Sequence, residues 1–178
     1  MNAAHTIWIY TLAVTLIAAW TDWRTRKIPN WLTVPALALG IGVNALAAGW
    51  PGAKMSLEGA GLALVILFPF VLKRGLGAGD WKLMAAVGAL LGPYLFLVAL
   101  LASLFVSATM AIVHLARNGQ VMTTLRNLVV LVRGVFSFGL RAHPEISLDN
   151  PKLLKLPFGV AAAIATVICY CATRWGAL

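Results

Sequence analysis

Residues 83–113 read LMAAVGALLGPYLFLVALLASLFVSATMAIV and contain no charged side chain. A helix needs about 20 apolar residues to cross the hydrocarbon of a bilayer, so this stretch is long enough for more than one crossing. Gly92-Pro93 divides it, because proline interrupts the hydrogen bonding of a helix. The pattern predicts two membrane spans, at 81–92 and 94–116, of which the first is short and follows Asp80 directly.

The composition of the whole chain has the same character. Of 178 residues, 61% are hydrophobic and 11% are charged, and the mean hydropathy is +0.90. An ordinary soluble domain is roughly half apolar and a quarter charged. A soluble protein of this composition would expose apolar patches far larger than the few hundred Å² that monomers tolerate. The composition therefore excludes soluble folds and predicts a polytopic membrane protein.

The apolar segments predict an all-α membrane helix bundle with about six transmembrane helices, forming one membrane-embedded domain over residues 1–178. The first segment lacks the basic start and the cleavage site of a secretory signal, so we expect it to be retained. The predicted spans are 5–21, 31–49, 57–72, 81–92, 94–116 and 157–173.

The long interruption at 117–156 contains a semi-apolar stretch with Arg126 and Arg133. A span there would bury Arg133 near the middle of the membrane, which is costly. The two arginines lie seven residues apart, on one face of a helix. This segment is therefore predicted to be an amphipathic helix in the cytoplasmic membrane interface.

The basic residues predict the orientation of the bundle. Twelve of the 14 lysines and arginines fall in 22–30, 73–82 and 117–156, which lie on one side when there are six spans. The positive-inside rule makes that side cytoplasmic and places both termini outside. The net charge of +9 is accordingly read as attraction to anionic membrane lipids, and nucleic acid is not an expected partner.

Two of the five acidic residues stand out by position. Asp22 follows the first span and Asp80 precedes the fourth, so the predicted topology puts both at one level on the cytoplasmic side. Two neighbouring carboxylates cannot both ionise, and one protonated acid beside one carboxylate is the arrangement that aspartic proteases use. The other acidic residues are interpreted as solvated charges: Glu58, Glu145 and Asp149.

Simpler roles for these two residues stay open on spacing alone. Asp80 follows a glycine-rich loop and is suited to cap the N-terminus of a helix. Asp22 can pair with Arg24 or Arg26 at the interface. The glycines before Asp80 are not preceded by a strand, so they lack the context of a nucleotide-binding loop. No metal site and no cofactor are predicted.

Three motifs occur in order along the chain. Asp22 precedes Ile28-Pro29-Asn30; Gly77-Ala78-Gly79-Asp80 is followed by Lys82; and Pro157-Phe158-Gly159 opens the last span. At these residues the sequence resembles the prepilin peptidases, membrane aspartic proteases of type IV pilus and secretion systems. The resemblance implies that Asp22 and Asp80 are the catalytic pair.

The residues themselves also suggest candidate substrate-binding positions, at Gly77, Gly79, Lys82 and Pro157. The two glycines leave space for an extended substrate strand beside Asp80, or form a flexible turn. Pro157 shapes one wall of the cleft, or only begins a helix. Lys82 lowers the pKa of a nearby acid, or extends to lipid headgroups.

The resemblance further implies a reaction and a location. The substrate is a prepilin or pseudopilin precursor, whose short basic leader is removed at the cytoplasmic face of a bacterial or archaeal cytoplasmic membrane. The short length resembles the peptidases of tight-adherence (Flp-type) pilus systems. The larger, bifunctional relatives carry an insertion with Cys-x-x-Cys pairs that this sequence lacks, so N-methyltransferase activity is not expected.

The sequence also bears on three other functions: a scaffold, a transporter and a different membrane protease. A membrane scaffold of a pilus or secretion assembly remains open, because an inactive relative can keep the motifs. A transporter is disfavoured because the acidic residues lie at span ends and no internal repeat is evident. Presenilin-type proteases also use Gly-x-Gly-Asp but place their other aspartate after tyrosine, whereas Thr21 precedes Asp22. The oligomeric state, the preferred cleavage site and the distance between the aspartates are left open.

Overall fold

The computed structural model describes residues 3–73, 75–117 and 157–176, which are helical apart from short connections. Within these ranges four helices follow one another: α1 (Ala3–Thr25), α2 (Asn30–Leu72), α3 (Ala78–Arg117) and α4 (Phe158–Arg174). The described part of the chain contains no strand, which confirms the all-α class. The predicted interfacial helix falls on 117–156, which lies outside the described residues beyond Arg117.

Both long helices are apolar and long enough to cross a membrane. α2 has 43 residues, so a straight helix of that length would extend about 65 Å, twice the hydrocarbon thickness. Each of the two long helices contains one glycine with a non-helical conformation, Gly49 in α2 and Gly92 in α3. The count of about six crossings stays a prediction.

The break at Gly49 turns α2 into a hairpin. Gly49 has φ 64° and ψ −144°, a conformation that glycine adopts readily, and Pro51 follows it closely. The hydroxyl of Ser56 donates to the carbonyl of Gly40 at 3.2 Å, although the two residues are 16 positions apart. In a continuous helix they would be about 24 Å apart. The two arms of α2, 30–48 and 50–72, therefore run antiparallel.

The first half of α3 runs parallel to the first arm of α2. Near its start, the Lys82 ammonium donates to the Asn30 side chain at 2.9 Å. Further along, Gly40 faces Ala89 so closely that a Cβ on Gly40 would lie 2.9 Å from the Ala89 carbonyl carbon. Glycine at this position lets the two helix backbones approach, as small residues do between membrane helices.

The second arm of α2 runs antiparallel to the same half of α3. Gly59 and Gly88 pack backbone to backbone, so that a Cβ on either would overlap the carbonyl of the other. Toward the start of α3, the Trp81 indole N–H donates to the Leu64 carbonyl at 3.0 Å, and its ring packs on Phe68. α3 is thus held against both arms of the hairpin.

The break in α3 is supported by one buried amide. Pro93 has no N–H, so the Ala89 carbonyl loses the partner that an unbroken helix would supply. Asn44 in α2 supplies it, since its Nδ2 donates to the carbonyls of Ala89 and Leu90, both at 3.1 Å. Asn44 also bonds Ser56 at 2.9 Å. Membrane helices tolerate proline where neighbouring groups satisfy the freed backbone in this way.

α1 and α4 are antiparallel partners. Trp8, near the start of α1, packs on the Tyr170 ring near the end of α4, with centroids 5.7 Å apart. At the other end, Asp22 of α1 contacts Gly159 in the first turn of α4. The bundle therefore has two distinct ends. We call them the carboxylate end (Asp22, Asn30, Asp80, Gly159) and the amide end (Trp8, Asn44, Ser56, Gly92).

Candidate active site

Asp22 lies in the last turn of α1, one residue beyond the predicted span 5–21. The helix ends at Thr25 because Arg26 adopts φ 54°, a left-handed conformation that terminates helices. The Arg26 N–H still donates to the Asp22 carbonyl at 2.9 Å, which closes the last turn. Only 6% of Asp22 is exposed, so its carboxyl group faces the other helices.

Two groups stabilise the Asp22 carboxylate. The backbone N–H of Gly159 donates to its Oδ2 at 2.8 Å, and the positive charge of Arg26 lies close enough to attract it. Burial raises the pKa of the Asp22 carboxyl above its ordinary value, while the Gly159 N–H and the Arg26 charge lower it, with burial the largest effect. Arg26, one of the two predicted structural partners, therefore does interact with this carboxylate.

Asp80 is the third residue of α3 and is partly buried. Its carboxylate accepts the backbone N–H of Gly77, the residue before the helix. This is the backward reach of a capping box, in which an acidic third residue bonds the N-cap. The simple capping interpretation was thus wrong about position, because Gly77 and not Asp80 precedes the helix.

The residue after Asp80 anchors this turn of α3. The Trp81 ring lies 5.9 Å from the Phe68 ring, and its indole N–H is bonded to Leu64 in the second arm of α2. Asp80 is consequently fixed from both sides of the chain, by Gly77 before it and by Trp81 after it. Nothing in the sequence distinguished Trp81 from the other tryptophans near helix ends.

The two carboxylates belong to one site. Asp22 and Asp80 come from different helices, and the charge of one acts directly on the other as repulsion. The predicted convergence of these residues at one end of the bundle therefore matches the arrangement of the described helices. Such a pair is able to hold one proton between two carboxylates.

The loop between α1 and α2 packs on the glycine-rich start of α3. A Cβ on Gly79 would lie 3.0 Å from the Ile28 carbonyl oxygen and 3.1 Å from the Ile28 Cβ. Lys82, one turn further on, bonds Asn30. Gly79 and Lys82 thus connect the Asp22 motif to the Asp80 motif, and a role for them in binding substrate stays a prediction.

The other two predicted substrate residues also lie beside the carboxylates. A Cβ on Gly77 would lie 2.9 Å from Asp80 Oδ2. Pro157 is buried and occupies the N-cap position of α4, where it provides no capping side chain. Gly159, which contacts Asp22 directly, is not among the predicted site residues, although it belongs to the Pro157-Phe158-Gly159 motif.

Metal ligands are not assembled in the described ranges, 3–73, 75–117 and 157–176. No group of three or more histidine, cysteine, aspartate or glutamate side chains there is placed to hold a metal ion. Cys169 is buried and Cys171 is exposed, both as free thiols. At the carboxylate end the described residues place two carboxylates beside backbone N–H donors.

Comparisons with known proteins identify the family of the chain. Residues 9–112, a range that includes both aspartates, match the type IV leader peptidase family. A curated protein of Xanthomonas campestris pv. campestris, the prepilin leader peptidase/N-methyltransferase, is 33% identical over 106 residues. That match covers 56% of this chain and 37% of the relative, so the chain spans little more than a third of the relative's length. No solved structure matches. With more than half of its residues matched and both aspartates within the matched range, the chain belongs to the type IV leader peptidase family.

Proposed function

We propose that this protein is a membrane aspartic endopeptidase that removes the short basic leader from prepilin or pseudopilin precursors, in the manner of the Flp-type short peptidases. The observation that carries the proposal is the placement of Asp22 and Asp80, from two helices, at one end of the bundle, where burial and the charge of Asp22 raise the pKa of Asp80. Membership in a peptidase family supports hydrolysis of a peptide bond as the reaction.

In the proposed reaction the pair shares one proton. The ionised carboxylate takes a proton from water, and the water oxygen attacks the carbonyl carbon of the scissile peptide. The protonated acid hydrogen-bonds the carbonyl oxygen and stabilises the negative charge that develops there. Protonation of the amide nitrogen then releases the new N-terminus of the pilin, and the leader leaves with a carboxylate. Water is consumed and no cofactor is needed.

The carboxylate end is assigned to the cytoplasmic side. This end carries exposed basic residues beside the aspartates, namely Arg24, Arg26 and Lys27, and the positive-inside rule supports a cytoplasmic position for them. A precursor that enters the membrane by its hydrophobic helix would present its leader at this level. The proposed site therefore lies where the bond to be cut is expected.

Peptidase activity is proposed without N-methyltransferase activity. The name of the Xanthomonas relative includes both activities, but the matched part covers only 37% of that protein. The Cys-x-x-Cys pairs associated with methylation in larger relatives have no counterpart here, because the sequence holds just two cysteines, Cys169 and Cys171. Mass spectrometry of the product distinguishes the two, since a methylated N-terminus is about 14 Da heavier than an unmodified one.

The experiment that tests the proposal is co-expression with candidate prepilins. Wild type, Asp22→Asn and Asp80→Asn are compared, and loss of the leader is followed by gel shift and mass spectrometry. Asparagine keeps the shape of the side chain and removes the ionisable group. We expect cleavage by the wild type alone. Cleavage by either variant would overturn the two-aspartate mechanism, and failure of the wild type across a panel of prepilins would favour a scaffold.

A further inference from the structure

The first turn of α4 has backbone donors that its own sequence does not cap. The first N–H groups of any helix lack partners within the helix. Serine, threonine, aspartate or asparagine at the N-cap commonly accepts one of them. Pro157 occupies that position here and its side chain makes no cap hydrogen bond. The N–H of Gly159, two residues on, is therefore available to another part of the molecule.

Asp22 accepts a hydrogen bond from the Gly159 N–H. The bond from Gly159 to Asp22 Oδ2 is 2.8 Å long, buried, and joins residues 137 positions apart. A carboxylate on α1 thus caps the N-terminus of α4, where the helix dipole also favours a negative charge. The bond uses one oxygen of Asp22 and leaves Oδ1 for other partners.

The contact leaves little room for a side chain at position 159. A Cβ built on Gly159 would lie 3.0 Å from Asp22 Cβ, 3.1 Å from Asp22 Oδ2 and 3.2 Å from the Ala18 carbonyl oxygen. The Ala18 oxygen belongs to the α1 backbone and cannot rotate away. The close approach therefore confines the Asp22 side chain as well as donating to it.

We propose that Gly159 is a positioning residue for the catalytic pair, one that holds Asp22 Oδ2 so that Oδ1 is presented to water. This inference rests on the proposed function of Asp22 and Asp80. A donated N–H favours the ionised form of a carboxylate, and Asp22 has the positive charge of Arg26 nearby in addition to this contact. Asp80 accepts the Gly77 N–H but is also repelled by the charge of Asp22. The surroundings of Asp22 therefore assign it the role of general base. Asp80 then carries the shared proton and acts on the substrate carbonyl.

The test compares two Gly→Ala substitutions in the purified full-length protein in liposomes, with a prepilin that the wild type cleaves. Gly159→Ala disturbs the contact with Asp22. Gly61→Ala is the matched control, because Gly61 is also helical and a Cβ there would meet no atom within 4 Å. The values of kcat and KM, the pH profile of kcat/KM and thermal unfolding are measured for each.

For Gly159→Ala we expect kcat to fall about 10- to 100-fold, the range that follows when a catalytic group is misplaced by a fraction of an ångström or more. KM is expected to stay within about threefold because the loss concerns orientation and not uniform binding. Loosening the bond also raises the pKa of the base, so the acidic limb of the profile moves to higher pH. Gly61→Ala keeps wild-type values.

Several outcomes would overturn the inference. One is a kcat of Gly159→Ala within twofold of wild type. Another is an equal loss of activity in Gly159→Ala and Gly61→Ala. A third is a loss of activity in Gly159→Ala without movement of the acidic limb of its pH profile. Either result indicates a purely structural role for Gly159. If Gly159→Ala does not fold, Pro157→Ser is measured in its place. The serine hydroxyl competes with Asp22 for the Gly159 N–H, so the acidic limb of the pH profile must again move to higher pH.

The proposed function is checked separately in the same assay. Cleavage by the wild type that is lost in Asp22→Asn supports the two-aspartate mechanism whatever Gly159→Ala does. A wild type that cleaves no prepilin overturns the proposed function, and with it the role given to Gly159. Normal cleavage with a normal acidic limb in Gly159→Ala overturns the positioning role alone.

Discussion

The carboxylate end and the amide end both bury polar groups between helices, yet they treat them differently. At the amide end the Asn44 side chain is 3% exposed and its Nδ2 donates toward the carbonyls of Gly40, Ala89 and Leu90 and the hydroxyl of Ser56. This group is neutral and its donors are fully used. A buried neutral amide whose donors are used in this way stiffens a bundle.

At the carboxylate end the buried polar groups are ionisable. Within the described part of the chain, Asp22 accepts the Gly159 N–H and Asp80 accepts the Gly77 N–H, and the charge of Asp22 acts on Asp80. Two acids whose surroundings shift their pKa values are suited to acid–base chemistry. If these two residues are the catalytic pair as proposed, one end of the bundle serves stability and the other serves chemistry.

The largest expected effect comes from Asp80→Asn. Cleavage should fall by about 10³-fold or more, because a catalytic acid or base that acts as a unit with its partner cannot be replaced singly. The midpoint of thermal unfolding should stay the same or rise, because burial disfavours the charged form of Asp80 and asparagine carries no charge. Product formation is measured by mass spectrometry and unfolding by circular dichroism. A large fall in the midpoint would assign Asp80 to stability instead.

Asn44→Ala should produce the reverse result. It leaves the Ala89 carbonyl without a donor in an apolar interior, which costs about 1–3 kcal/mol of unfolding free energy. The kcat of the folded protein should remain within about threefold of wild type, because Asn44 lies at the opposite end from the aspartates.

Thr33→Val is the matched control for Asn44→Ala. The Thr33 hydroxyl is buried and has no hydrogen-bond partner among the described residues, so its replacement by a side chain of similar shape should leave stability unchanged or improve it. Unfolding in a denaturing detergent series measures both changes. Equal losses in Asn44→Ala and Thr33→Val would contradict the role given to the amide.

A smaller effect is expected at the contact between the two aspartate motifs. Lys82→Met and Asn30→Ala each remove the 2.9 Å bond, which is exposed and therefore weak. Each single variant should lower kcat about three- to tenfold. The double variant should resemble the singles, since both remove the same contact. Independent, multiplying losses would instead support direct contact of Lys82 with substrate, as the sequence motif implies.

The smallest effect is expected from Glu58→Gln at the amide end. Its partner Lys54 lies one helical turn away at 3.7 Å, and the two side chains are 66% and 53% exposed for Lys54 and Glu58. Such pairs contribute well under about 1 kcal/mol. Cleavage and unfolding should both match the wild type. A tenfold loss of cleavage would contradict the assignment of stability to the amide end and catalysis to the carboxylate end.

Much of the fold follows from the sequence because apolar runs and helix breakers act locally. The predicted boundary at Gly92-Pro93 coincides with the break in α3. Between the predicted spans 31–49 and 57–72, however, residues 50–56 are helical, and the chain turns at Gly49. Asn44 and Ser56 make so tight a turn possible by bonding across it, and this pairing cannot be deduced from hydropathy.

The part of the candidate site that charged residues form could be predicted from the sequence. Asp22 and Asp80 stand out because charges are rare in this chain. Gly159 and Trp81 do not, because a backbone N–H and an indole N–H have no signature in sequence spacing. Their partners, Asp22 and Leu64, are determined by which helices pack together, and small residues distributed along every helix leave that choice open.

The bond between Gly159 and Asp22 also has a consequence for the biogenesis of the protein. The hairpin contacts of α2 join residues at most 16 positions apart, so they can form early in membrane insertion. The Gly159–Asp22 contact spans 137 positions and waits until the ribosome has made the chain beyond Phe158. If Gly159 positions Asp22 as proposed, the nascent peptidase stays inactive during most of its own synthesis, and competence begins when α4 docks.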